Sequence, residues 1–123
     1  MPLEVTVAQK ESGVFIVSPC GSIDSESCWN LEKAVNPILV ASTKALIFNM
    51  EGVDFISSMG LSVIFKIKQK IEDNKGTLII TNLQPQIKKV FDAVKIISSS
   101  LFASLEEADE YLDAFLSDIE KKK

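Results

Sequence analysis

"ALIFNMEGVDFISSMGLSVIFKIKQ", residues 45–69, carries two hydrophobic periods in succession. The first part, "KALIFNM" with Lys44 in front, is a short apolar run of the kind found in strands buried on both faces. From Ser58 onward the apolar residues recur at helical spacing. Stepping 100° per residue gathers Gly60, Ile64, Ile67 and Ile71 on one side, with Val63 at its margin. Ser58, Ser62, Phe65 and Gln69 gather on the opposite side. The isoleucine side is expected to pack on a sheet and Phe65 to point away from it. Gly76 stands where the helix is expected to stop, and "TLIITNL" after it is a second apolar strand.

The pattern extends outward in both directions. Upstream, "LEVTVAQ" alternates, with Leu3, Val5 and Val7 on one face. "GVFIVSPCG" follows the turn residues Glu11-Ser12-Gly13, so the two form a hairpin, with Pro19 and Gly21 expected to end the second strand. "DSESCWNLEKAVNPILVAS" is a helix with Asp24 or Ser25 as its cap, broken near Asn36 by Pro37. Downstream, "PQIKKVFDAVK" is a helix with Pro85 at its first position. "SLFAS" is a final short strand, and "SLEEADEYLDAFLSDIEKKK" a final helix with Ser104 and Glu107 at capping-box spacing. Strands alternating with helices define a single α/β domain, with helices on a mostly parallel sheet that the opening hairpin makes mixed. The domain is expected to span 1–118, with a charged tail at 119–123.

Composition narrows the function classes. The chain has 123 residues, 46% hydrophobic and 24% charged, enough for one core. No apolar run approaches the roughly 20 residues of a membrane span, and "MPLEVTVAQK" lacks the basic start and apolar block of a signal peptide. A cytoplasmic protein that uses no membrane is expected. The net charge is −4 and only the closing "KKK" is a basic run, so direct nucleic-acid binding is not expected. There is no histidine. Cys20 and Cys28 form no paired motif, and both read as core-side residues of a reduced protein. No metal site and no cofactor are expected.

The junction "DFISSMGL", residues 54–61, is where chemistry could reside. A serine before an apolar helix is ordinarily a cap. As a nucleophile it would need a base, and neither a histidine nor a G-x-S-x-G elbow is present. As a phosphate acceptor it would suit a helix N-terminus, whose free N–H groups and dipole favour an anion. No catalytic residue is assigned.

The ordered set "GSID" at 21–24, "ALIFNMEGVDFISSMGLSVIFKIKQ" at 45–69 and "GTLIITNLQPQIKKVFD" at 76–92 resembles the STAS domain family, in particular the bacterial anti-sigma factor antagonists. The resemblance covers nearly the whole chain. It implies a non-enzymatic protein whose acceptor serine lies two residues before the Gly-Leu of the second helix. Gly60-Leu61 places that serine at Ser58, which is expected to serve as helix cap and switch together. Members often carry Asp directly before the acceptor and a small residue after it. Here Ser57 and Met59 stand there, which leaves Ser57 as a second candidate acceptor. Asp24 matches the acid that opens the family's first helix. The partners implied are an anti-sigma factor serine kinase, which the unphosphorylated antagonist binds so that a sigma factor is freed, and a PP2C-type serine phosphatase that resets the switch. Asp24, Ser57, Met59, Leu61, Ser62 and Phe65 are the expected partner-facing residues. Some STAS domains act as unregulated interaction modules, in signalling or transport assemblies, and that remains the alternative.

Overall fold

Ser12 and Gly13 turn the chain between strands β1 (Glu4–Glu11) and β2 (Val14–Ile23), which pair antiparallel. Gly13 takes φ +79, and a Cβ there would lie 2.9 Å from the Ser42 carbonyl oxygen, so glycine fits on both counts. The computed structural model describes residues 3–94 and 101–102. Helix α1 (Cys28–Val35), strand β3 (Ala45–Asn49), strand β4 (Val53–Ile56), helix α2 (Ser58–Asp73), strand β5 (Thr77–Thr81), helix α3 (Pro85–Val94) and strand β6 (Leu101–Phe102) follow in order. The sheet runs β1-β2-β3-β5-β6, with β4 added to β2. Among the described strands only β1 is antiparallel to its neighbour, so the sheet is mixed and mostly parallel. The expected final helix and charged tail lie outside the described residues.

Burial follows the alternation of the strands. Val17, Leu46, Phe48, Leu78 and Ile80 face one side, where Leu31 and Val35 of α1, Ile64, Ile67 and Ile71 of α2, and Ile87 and Phe91 of α3 complete the main core. Val14, Ala45, Ile47 and Ile79 form a second buried cluster. β3 is therefore buried on both faces, as its unbroken apolar run requires.

Several expectations are corrected. Pro19 and Gly21 do not end β2. Parallel pairing with β3 stops at Val17, so the missing N–H of Pro19 falls past that ladder. Beyond it β2 changes partner, pairing Gly21, Ser22 and Ile23 with β4. Gly21 accommodates the change with φ +119 and donates its N–H to the Gly52 carbonyl at 2.9 Å. β4 itself was not foreseen, because "VDFI" is only four residues long and alternates neither as a helix nor as a strand.

Helix α1 starts later than expected, after Ser27 rather than at Asp24 or Ser25. Its end was foreseen: α1 stops at Val35 and a single 3-10 turn, Asn36–Ile38, carries Pro37. At the end of α2 the left-handed residue is Lys75 (φ 65), not Gly76. The Gly76 N–H donates to Ile71 O and the Lys75 N–H to Glu72 O, a Schellman closure. Gly76 is required for space instead: a Cβ would lie 2.8 Å from an Ile71 side-chain carbon. Cys28 is buried, but Cys20 is exposed, because the partner change of β2 brings it to the surface. Trp29 is 52% exposed, more open than the partial burial its place on α1 suggested.

Candidate functional site

The junction between β4 and α2 lies at the end of the sheet where the parallel strands finish. The Ser57 N–H donates to Ile23 O at 2.9 Å, carrying the β2–β4 pairing one residue past β4. Ser57 then leaves the strand in an extended conformation and becomes the cap of α2: its Oγ accepts from the Gly60 N–H at 3.1 Å. The first helical bond runs from Leu61 N–H to Ser57 O.

The two serines are thereby separated. The cap is Ser57, not Ser58. Ser58 is the first helical residue and is exposed, and among the described residues its hydroxyl has no hydrogen-bond partner. Its carbonyl accepts from the Ser62 hydroxyl at 3.1 Å. Ser57→Ala is expected to lose about 1 kcal/mol of stability, the usual value of a serine cap. A denaturant titration of the variant measures it, and no change would mean that the cap bond contributes nothing.

The depth of the helix start is set by Gly60. A Cβ at that position would meet Ile23 O at 2.6 Å and an Ile23 methyl at 2.8 Å. The first turn of α2 thus rests directly on the end of β2, and Ser58 projects from a fixed base. Ser62 and Phe65 lie on the same side of α2 as Ser58 and are exposed, Phe65 at 38%, and Met59 beside Ser58 is 44% exposed. Leu61 differs from the other expected partner-facing residues: it is half-buried and packs against the main core.

Asp24 shapes the neighbouring loop between β2 and α1. Its Oδ1 accepts from the Ser27 N–H at 2.8 Å, the Glu26 N–H at 2.9 Å and the Ser27 hydroxyl at 3.0 Å. The Ser27 hydroxyl also reaches Ser22 O at 2.6 Å. These bonds, that from the Ser27 N–H foremost, hold the Asp24 carboxyl below its ordinary value of 3.8. A lowered folded-state pKa means that the carboxylate's contribution is complete above the unfolded value and is lost as the pH falls through the lowered one. The amide resonance of Ser27 is expected to titrate with a midpoint below 3.8. A midpoint at or above that value would show that the carboxylate does not hold the turn in solution.

One surface residue had no counterpart in the sequence reading. Phe55, on β4, is 52% exposed. The signal that could have found it is the irregular alternation of "VDFI", whose buried ends, Val53 and Ile56, leave Asp54 and Phe55 both outward.

A mixed sheet with this strand order, and a capped helix that starts immediately after a short strand, define a single α/β domain. Residues 6–108 match the STAS domain family, and the chain belongs to that family. Its curated relatives include the protein named "Putative anti-sigma factor antagonist BtrV" from Bordetella bronchiseptica, 24% identical over 80% of this chain and 85% of the relative. They also include the anti-sigma-F factor antagonist RsfB from Mycobacterium tuberculosis, 32% identical over 56% of each chain. Among solved structures, an anti-sigma factor antagonist from Mycobacterium paratuberculosis superposes with a TM-score of 0.77 at 23% identity, covering 89% of this chain and 92% of that one. The same fold recurs inside a much longer chain, the murine anion transporter Slc26a9, with a TM-score of 0.73 at 24% identity, over 87% of this chain and 19% of that one.

Proposed function

We propose that the chain is a phosphorylation-regulated anti-sigma factor antagonist, with Ser58 as its acceptor and an anti-sigma serine kinase as its partner. The observation that carries this reading is the division of labour between the two serines. The Ser57 hydroxyl is engaged in capping, whereas the Ser58 hydroxyl is exposed at the first position of α2 and has no partner among the described residues. The names of the curated relatives point to an anti-sigma factor as the partner; that it is a serine kinase is what the family resemblance implies.

In this reading the unmodified chain docks on the kinase through the surface around Ser58, with Asp24, Ser57, Met59, Leu61, Ser62 and Phe65 as the docking set. The kinase is thereby drawn off its sigma factor. The γ-phosphoryl group of ATP then passes to Ser58 Oγ, the hydroxyl proton is lost and ADP remains. The product adds bulk and a charge of about −1.5 to −2. At the first position of α2 that charge is compatible with the fold, because the N–H groups there favour an anion. Docking would strip its water, and the complex separates. A PP2C-type phosphatase restores the hydroxyl. In this reading the chain is the phosphoryl acceptor and the kinase performs the catalysis.

The test is phosphate transfer from ATP by the cognate kinase, followed by mapping of the modified residue. One phosphate on Ser58, absent in Ser58→Ala and retained in Ser57→Ala, supports the reading. Phosphate on Ser57 would move the acceptor by one residue. Transfer to neither serine, with binding indifferent to both, would favour an unregulated interaction module.

A further inference from the structure

Strand β4 contains a bulge, and the bulge has a consequence for docking. Gly21 pairs with Val53 and Ser22 with Phe55, so Asp54 is an extra residue on β4. The bulge is held from two sides. The Ser22 hydroxyl donates to Asp54 Oδ1 at 3.1 Å, and the Gln86 side-chain amide donates to Asp54 O at 3.4 Å. An unbulged strand would turn alternate residues inward. This one leaves both Asp54 and Phe55 outward, so a large aromatic ring is kept half in water on the strand that leads into Ser57 and Ser58.

The connections at this end of the sheet carry charge of one sign. Three connections lie at the Ser58 end of the sheet, residues 24–27, 50–52 and 82–84. They carry Asp24, Glu26 and Glu51 and no lysine or arginine, and Asp54 of β4 adds a further carboxylate; Lys33, Lys88 and Lys89 stand on the helices that follow. Glu32 is engaged with Lys66 of α2 at 3.3 Å, while Glu26, Glu51 and Asp54 are exposed. The end of the molecule that presents the acceptor serine is therefore an acidic rim around exposed apolar side chains.

We infer that Phe55 is an anchor of the docking surface, inserted into an apolar pocket of the kinase whose rim is basic, and that Ser22 and Asp54 position it through the bulge. The inference rests on the reading of Ser58 as the acceptor and specifies the surface that reading leaves open. The partner's chemistry follows from complementarity: an acidic rim accelerates encounter with a basic surface and opposes an acidic one, and a buried aromatic in a pocket carries more binding energy than the contacts around it. The basic rim by itself would favour the new charge, so release on phosphorylation rests on the bulk the group adds at the seat of the complex and on the water it must lose there.

The test uses the full chain and the kinase that phosphorylates Ser58, with binding kinetics measured at several salt concentrations. Phe55→Ala is expected to weaken binding about 30-fold or more, chiefly through faster dissociation, with an unchanged melting temperature, and Phe55→Leu to recover part of the loss. Ser22→Ala, which frees Asp54 without altering the exposed ring, is expected to weaken binding several-fold. Glu51→Gln together with Glu26→Gln is expected to slow association several-fold at low salt and to leave it unchanged at high salt. Should Ser58 be phosphorylated normally while Phe55→Ala binds as the unaltered chain does, the anchor is refuted and the reading of Ser58 stands. An association rate that rises when the two glutamates are neutralised would refute the basic rim. If no kinase modifies Ser58, the inference falls with the reading beneath it.

Discussion

Ser58→Asp is expected to lose kinase binding by about 100-fold or more, on the order of 3 kcal/mol, while unfolding at nearly the same temperature as the unaltered chain. The two halves of that result have different physical origins. The fold tolerates the carboxylate because Ser58 is exposed at the first position of α2 and its hydroxyl bonds to nothing among the described residues, while the helix N-terminus favours a negative charge. The complex does not tolerate it because docking would bury an unpaired anion. Ser58→Ala is the converse. It should bind, resist phosphorylation and free the sigma factor constitutively. Since Ser58 is not the cap, its replacement should shift stability by no more than about 0.5 kcal/mol, the range of an ordinary surface change. Calorimetric binding alongside thermal melts of both variants decides the matter. A Ser58→Asp chain that binds normally would remove the proposed switch, and one that melts far lower would place Ser58 within the structural framework.

Gly60→Ala is expected to produce the largest loss of stability at the site, about 1–3 kcal/mol. The added methyl would stand 2.6 Å from a backbone oxygen, Ile23 O, which is itself held by the Ser57 N–H. Neither atom belongs to a flexible side-chain end, so the first turn of α2 must rise from the sheet. That movement lengthens the Ser57 cap bond to Gly60 and displaces Ser58. Phosphorylation should therefore slow together with the fall in stability, whereas Ser57→Ala lowers stability with the acceptor left in place. Denaturant unfolding and initial phosphorylation rates, measured for both variants, separate the two cases. An alanine accepted at position 60 without cost would mean that the approach of α2 to β2 is looser in solution.

How much of this was legible in the sequence depends on the range of the forces involved. The apolar run of β3, the isoleucine stripe of α2 and the break at Pro37 were all readable, because each reports a local period or a fixed backbone angle. The outward face of α2, with Ser58, Ser62 and Phe65, followed from the same period and is exposed as expected. The candidate acceptor was readable as a pair, since any serine ahead of an apolar helix is a candidate cap and any exposed one a candidate acceptor.

What local pattern could not divide was the pair itself. Which serine caps depends on where β4 ends, and β4 exists only because β2 exchanges β3 for a new partner beyond Pro19. That exchange also exposes Cys20 and bulges Asp54 outward with Phe55. Each of these is a consequence of pairing between residues about 30 positions apart, and hydrogen bonds across such a distance leave no period in the chain. The sequence alone determined the elements, their order and the apolar faces they must bury. The tertiary structure decided that Ser57 is tied to the helix while Ser58 is free, because only the approach of α2 to the end of β2, at Gly60, sets where the first turn begins.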